Sequence, residues 1–257
     1  MPTLAEELVR LNVDVIVVGL TAAIPIAQRA MSTIPIVMAI SVDPVGNGYV
    51  SSLATGLASP QDEIVSKQLQ LVTLLVPNAL RIGFLINRDN PTHILAFKSL
   101  QEAAQQKRLD VIPVEVRNAR DLAGAFATLN QERVDVITIS GDAVLFSNRR
   151  EIAEMALKLN LPTVFSQREY VEAGGLISYG ESVADFYRRS TFYVDKLLKG
   201  AKPNELPIQQ PTRFFTTLNR KTADALGINI PVQLLVLADE VIEQDKLMMS
   251  AFGPKQT

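Results

Sequence analysis

One short design occurs twice in the chain, and this near-repeat constrains the fold more than any other feature. Residues 8–19 (LVRLNVDVIVVG) match residues 129–141 (LNQERVDVITISG), with Val-Asp-Val-Ile starting at Val13 and again at Val134. Each copy runs on through a helical stretch, residues 24–31 and 149–159, into a strand that opens with apolar-Pro, Ile34-Pro35-Ile36-Val37 and Leu161-Pro162-Thr163-Val164. A length of 257 residues admits one barrel or two lobes of about 120 residues each. The shared element order selects two α/β lobes.

The rest of the chain fits that frame. Residues 13–18, 34–40, 81–86, 109–116, 134–139 and 161–165 are continuous apolar runs, as expected of parallel strands covered on both faces. Between them lie apolar stripes at helical spacing, such as Leu122, Ala125, Phe126 and Leu129, or Val183, Phe186, Tyr187, Ser190 and Val194. Such stripes pack cores, and no function is assigned to them.

Composition removes several functions. With 25 Lys+Arg against 27 Asp+Glu the net charge is −2, so there is no positive field to hold a nucleic acid. Cysteine is absent and His93 is the single histidine, which excludes disulfides, thiolate nucleophiles, the usual histidine-based catalytic sets and multi-histidine metal sites. Neither a metal nor a cofactor is expected. Gly46-Asn47-Gly48 follows a strand, yet Ser51 stands where a dinucleotide fingerprint needs its third glycine, so it reads as a turn. The most apolar stretch, residues 13–27, is broken by Asp14, Thr21 and Pro25 and is shorter than the roughly 20 residues of a membrane span. His93, just inside a helix, reads as a partly exposed surface residue.

In open parallel sheets ligands bind beyond the carboxyl ends of the strands, where helix N-termini present free N–H groups. The loops that qualify hold Thr21 and Asp43 in lobe one, and Asn87, Asn90, Thr92, Asp142, Phe146, Gln167 and Tyr179 in lobe two. Asn90-Pro91-Thr92 is either a ligand-receiving helix start or simple capping. Asp142 is either an anchor for an ammonium group or a turn former beside Gly141. Phe146 and Tyr179 either stack on a ligand ring or fill the core.

Several runs in order carry a family resemblance: Asp43-Pro44-Val45-Gly46, Asn87-Arg88-Asp89-Asn90-Pro91, the stretch 168–180 (REYVEAGGLISYG), 197–203 (LLKGAKP) with Leu206-Pro207 and Gln210-Pro211-Thr212, and the closing 238–243 (ADEVIE). Over residues 4–243 the chain resembles the substrate-binding proteins of ABC transporters, whose better-known members bind aromatic amino acids. The resemblance implies a type I periplasmic-binding-protein fold: two Rossmann-like lobes that close by a hinge on a small ligand, with the closed form recognised by a membrane permease. It implies a periplasmic monomer, or a cytoplasmic one if the start of the chain is genuine, that captures an amino acid or other small carboxylate and catalyses nothing. By position, Asn90 and Thr92 fall where relatives meet the ligand carboxylate, and Asp142 near their acidic contact to the ammonium. Thr21, Asp43, Gln167 and Tyr179 fall at the other cleft-facing loop ends.

The expected lobe boundaries are 1–78 plus 210–257 for lobe one, with the segment from Pro211 returning to it, and 79–209 for lobe two. Copy two is preceded by a strand, a helix and a strand that copy one lacks, and no export signal is visible. The expectation is therefore a lobe one shortened by about 40 residues at its start. The family's loop between Ala54 and Thr55 is also absent. Two other readings compete: an intracellular ligand-sensing domain of the same fold, and an isomerase-type enzyme acting on small carboxylates.

Overall fold

Four helices end on a non-glycine residue in the left-handed region, and each such residue is followed at once by the approach to a strand: Asn12 (φ 49°), Arg108 (φ 57°), Arg133 (φ 52°) and Asn160 (φ 52°). A left-handed residue past a helix end closes the last turn and reverses the chain, which is what a helix feeding a parallel strand needs. Asn12 and Arg133 occupy the same place in the two repeats, and their N–H groups bond back to Val9 O and Asn130 O at the same 3.1 Å. The repeat is thus structural down to its cap.

The computed structural model describes residues 2–30, 33–50 and 54–243. In chain order the elements are α1 (Pro2–Arg10), β1 (Ile16–Val18), α2 (Ile24–Ala30), β2 (Ile36–Val42), β3 (Ala54–Ser59), α3 (Gln61–Leu75), β4 (Arg81–Ile86), α4 (Pro91–Gln105), β5 (Asp110–Glu115), α5 (Leu122–Gln131), β6 (Val136–Ile139), α6 (Ala143–Ser147), α7 (Arg149–Lys158), β7 (Thr163–Phe165), α8 (Arg168–Glu172), β8 (Ile177–Gly180), α9 (Val183–Leu198), β9 (Phe215–Asn219), α10 (Arg220–Ala225), α11 (Val232–Leu237) and β10 (Glu240–Ile242). The expected apolar runs all contain strands, with β1 reduced to three residues.

Two sheets form. One has the order β1-β2-β3, all parallel, and the other the order β10-β9-β8-β7-β6-β4-β5, parallel except where β9 runs against β8. Repeat alignment maps β1-β2 onto β6-β7. The α/β class with mostly parallel sheets is as the sequence indicates. Full cover on both faces holds for β4, β6 and β7 but not for β1, where Val17 stands exposed, nor for the edge strand β5, whose residues are largely exposed.

The expected lobe boundaries are corrected. Helix α3 packs on α4, β7 and β8, and Val65, Leu69, Leu71, Val72 and Leu75 join the core beneath β4, so lobe two begins at residue 61. Helix α9 goes the other way: Phe186, Tyr193 and Leu197 seat on Val37 of β2 and Leu57 of β3. The buried Tyr193 gives its hydroxyl proton to Pro207 O at 2.9 Å. The following segment bonds β3 through Ala58 N to Gln209 O and Gln209 N to Gly56 O. The chain past Pro211 does not return to lobe one, because β9 and β10 extend the second sheet. Among the described residues, lobe one is thus 2–30, 33–50, 54–59 and 183–209, lobe two 61–180 and 215–242, and the chain crosses three times. An amphipathic stripe tells a helix to bury one face without saying against which sheet.

Ala54 and Thr55, between which the family's loop is absent, are consecutive residues of β3 and pair with Ile36 and Val37 of β2. Gly56 in β3 has φ +145°, and a Cβ there would lie 2.1 Å from Met38 O, so this tight strand contact requires glycine. Among the described residues no helix is long and apolar enough to cross a membrane.

Candidate functional site

The two sheets point the carboxyl ends of their strands at one another, and a cavity of ≈ 330 Å³ lies between them. Every loop that lines it follows a strand: Gly19 to Ala23 after β1, Ser59 and Gln61 after β3, Asn87 to Asn90 after β4, Ser140 to Ala143 after β6, Ser166 and Gln167 after β7, and Glu181 after β8. This is the crevice where open α/β sheets bind ligands, and its volume suits one amino-acid-sized or monosaccharide-sized molecule.

The floor on the lobe two side is a preassembled polar lattice. Asp142 caps α6, with Oδ1 accepting from Val144 N (2.8 Å) and Leu145 N (3.0 Å). Its Oδ2 accepts from Asn87 Nδ2 (3.1 Å) and Asn90 Nδ2 (3.0 Å). Asn90 in turn caps α4 by accepting from Thr92 N, with Pro91 in the first helical position where no N–H is needed. Asp142 therefore has four donors at its two oxygens.

His93 completes this lattice and is fully buried, which corrects the reading of a surface residue. Its Nδ1 accepts the Asn87 N–H at 2.9 Å, so the proton sits on Nε2 and faces Ser140 O at 3.3 Å. Burial holds its pKa below the ordinary value, opposed by the nearby Asp142. A neutral ring in that tautomer stitches the β4 loop to the β6 loop.

The opposite wall is apolar. Leu20, Ala22, Ala23, Ile26, Ile40 and Val42 of lobe one face the cavity, joined by Ile64, Val183 and Phe186 near the crossings. Further along the lobe two side, in the loops after β7 and β8, Ser166 Oγ, Gln167 Oε1 and Glu181 Oε1 are buried without a hydrogen-bond partner. Burial pushes the Glu181 carboxyl up to about 7, opposed by a hydrogen bond from the Ser59 side chain and reinforced by Glu63. Gly180 makes the approach to this corner possible, since a Cβ on it would lie 2.0 Å from Ser166 O.

Of the residues singled out from the sequence, the structure brings Thr21, Asn87, Asn90, Thr92, Asp142 and Gln167 together around the cavity. It places three elsewhere. Asp43 has φ 43° and accepts from Gly46 N at 2.9 Å, an exposed turn beside a separate, shallower groove. Phe146 lies one helical turn past the Asp142 cap, edge-on to Tyr170 at 5.9 Å and beneath the Arg149 guanidinium. Tyr179 stacks on Phe214 at 5.6 Å, and its carbonyl accepts from Gln68. Glu181, two residues on and past the end of β8, lines the cavity instead, because strand alternation would keep residues 179 and 181 on one face and stops setting the direction once the strand ends. Sequence reasoning also missed Ser59, Ser166 and the apolar wall. The available signal for Glu181 was its place in a loop beyond the carboxyl end of a strand.

A two-lobed α/β protein with a preformed, half-polar and half-apolar cavity at its switch-point crevice belongs to the class of cleft-type ligand binders. Comparison with known proteins makes this specific. Residues 2–242 match the family described as ABC transporter substrate binding protein, and the chain belongs to that family. The tyrosine-binding protein of Clostridioides difficile (strain R20291) is 25% identical over 235 residues, covering 89% of this chain and 68% of that protein. Among solved structures, a conserved domain protein from Vibrio cholerae shares 26% identity with a TM-score of 0.85, covering 94% of this chain and 84% of the other. The ABC domain in complex with L-Trp from Streptococcus pneumoniae shares 26% identity with a TM-score of 0.83, covering 94% and 85%. The neighbours have the type I periplasmic-binding-protein fold, and the chain is a small-molecule-binding protein of the ABC transporter type.

Proposed function

We propose that the chain captures one amino acid with an apolar or aromatic side chain in the cleft between its lobes, and that the closed form is what an ABC permease accepts. The observation that carries this is the division of one ≈ 330 Å³ cavity into a polar wall of uncommitted acceptors and an apolar wall of aliphatic side chains. An α-amino acid has the same division. Similarity to a tyrosine-binding protein and to a domain complexed with L-Trp supports the choice. Thr92, the uncapped backbone start at Leu20–Ala23 and Gln167 are the donors proposed for the carboxylate. The protein works as a monomer outside the cytoplasmic membrane and returns its ligand unchanged.

Closure follows from the three crossings at 59–61, 180–183 and 209–215, which let the lobes rotate as bodies while each keeps its own sheet. A ligand that touches both walls binds the closed form better than the open form, and only that difference shifts the equilibrium.

The test is thermal unfolding and calorimetry against the twenty L-amino acids and a panel of monosaccharides. A ligand present at about 100 times its Kd stabilises by about 2.7 kcal/mol, a rise of several degrees in Tm. The expected result is a rise with aromatic or large aliphatic amino acids and an unchanged ligand recovered afterwards. No stabilisation by any compound, or conversion of the bound compound, would overturn the reading.

A further inference from the structure

The cavity has an electrostatic bias that the apolar wall conceals. Among the described residues its charged lining side chains are Asp89, Asp142 and Glu181, with no Lys, Arg or His. Asp142 is committed to four donors. Glu181 is not: Oε1 is buried and unpartnered, and on the adjoining loop Ser166 Oγ and Gln167 Oε1 are buried and unpartnered as well. Buried polar atoms in native proteins find partners, so three orphaned acceptors on one cavity wall mark a place that a donor fills. A primary ammonium carries three N–H donors and one positive charge.

We propose that this wall receives the ammonium group of the ligand, with Glu181 as the residue that makes the cleft select amines and Ser166 and Gln167 as its partners. The inference rests on the amino-acid reading above and moves the ammonium contact away from Asp142, whose oxygens have no lone pair left for it. A metal ion does not fit the same wall, because among the described residues no three Asp, Glu or His side chains converge closely enough to hold one.

The groups around Glu181 are consistent with an unpaired charge awaiting a cation. Glu63 on α3 adds negative potential, and Tyr179 on β8 senses Glu181 in turn. Arg168 lines a small hollow on the far side of Glu181 but is paired with Glu172 and Glu240 at 2.8 Å each. Asp89 and Asp142 lie across the cavity in the β4 and β6 loops, with the neutral His93 on α4 behind them. In the empty cleft the raised Glu181 carboxyl is half protonated near neutrality. An arriving ammonium favours the ionised form and displaces that proton. Affinity for an amine therefore climbs with pH below about 7, by at most tenfold per pH unit, and levels off above it.

The experiment uses the whole chain, titrated calorimetrically from pH 5 to 8.5 with three matched probes: L-phenylalanine, 3-phenylpropionate without its amine, and phenethylamine without its carboxylate. The aliphatic set of L-leucine, 4-methylpentanoate and isoamylamine runs in parallel. The expected result is that amine-bearing probes bind at least about 30-fold more tightly than the deaminated acids, with the rising pH profile. Glu181→Gln, which keeps the shape and loses the charge, removes most of that preference and flattens the profile. Its Tm in the absence of ligand shows that the variant is folded, and Ser166→Ala provides a smaller loss in the same direction. If the deaminated acids bind as well as the amino acids, or if Glu181→Gln binds amines unchanged, the ammonium assignment is overturned while capture of a small molecule stands. If no amine, acid or monosaccharide binds, the functional reading itself falls and takes this inference with it.

Discussion

The two lobes contain the same Val-Asp-Val-Ile strand in unequal surroundings. In lobe two it forms β6, bracketed by β4 on one side and β7 on the other; in lobe one it forms β1, which has β2 on one side and the edge of the sheet on the other. The consequences are local and measurable. Thr138 of β6 is 3% exposed, while its counterpart Val17, the more apolar of the two, is 40% exposed. Asp135 Oδ2 accepts the N–H groups of Leu80 and Arg81 at 2.7 and 2.8 Å and so pins the start of β4 to β6. Its counterpart Asp14 is exposed. Leu4, Leu8, Val17 and Tyr187 line an apolar hollow of ≈ 240 Å³ along the flank of β1. One sequence pattern thus yields a core strand or a sheet edge according to its neighbours.

The largest effect that tests this contrast is in the core. Ile137→Ala in β6 is expected to cost about 3–5 kcal/mol of stability, and Ile16→Ala in β1 about 1–2 kcal/mol, both read from urea denaturation. Equal costs would break the comparison. Hydrogen exchange sharpens it, since the amides of β1 should open well before those of β6.

Next in size is a pH effect centred on the crossing between the lobes. Glu181 has a folded-state pKa of about 7 against an ordinary value near 4.5. Its protonated form favours the fold, so that contribution is complete below about pH 4.5 and is lost as pH rises to about 7. The full swing is about 3 kcal/mol in the ligand-free protein. His93 acts in the opposite sense: its lowered pKa destabilises lobe two as pH falls below its unfolded value near 6.5. Subtracting the pH profile of Glu181→Gln from that of the parent chain isolates the first effect. A difference that does not change between pH 4.5 and 8 would refute it.

Smaller still is the repeated aspartate. Asp135→Ala should cost about 1–2 kcal/mol by leaving two strand N–H groups without their acceptor, and Asp14→Ala less than about 0.5 kcal/mol. At the bottom of the scale, Lys199→Ala removes an exposed pair with Asp195 on α9 and should change stability by no more than about 0.5 kcal/mol in either lobe's transition.

Much of the fold was legible without coordinates. The continuous apolar runs marked the interior strands because a strand buried on both faces has no polar alternation, and Arg81–Ile86 lies where its run was read. The candidate site was legible to the extent that strand-end loops are few, so Asn87, Asn90, Thr92, Asp142 and Gln167 were found by position. Phe146 and Tyr179 were misplaced because the direction of a side chain depends on helical phase past the cap and on the residue at which the strand ends, and an apolar run marks neither. His93 was misread since its burial is decided by Asn87 and Ser140, neither of which is its helical neighbour.

By itself the sequence determined the two-lobed α/β class, because apolar periodicity acts within a dozen residues. It also determined the family. Tertiary structure alone decided that α3 and β9 belong to lobe two and α9 to lobe one, and that Asp142 spends its lone pairs on capping α6 and on Asn87 and Asn90 while Glu181 keeps one oxygen free. Those outcomes depend on which surfaces meet across the fold, and an apolar stripe or a carboxylate carries no record of the partner it will find.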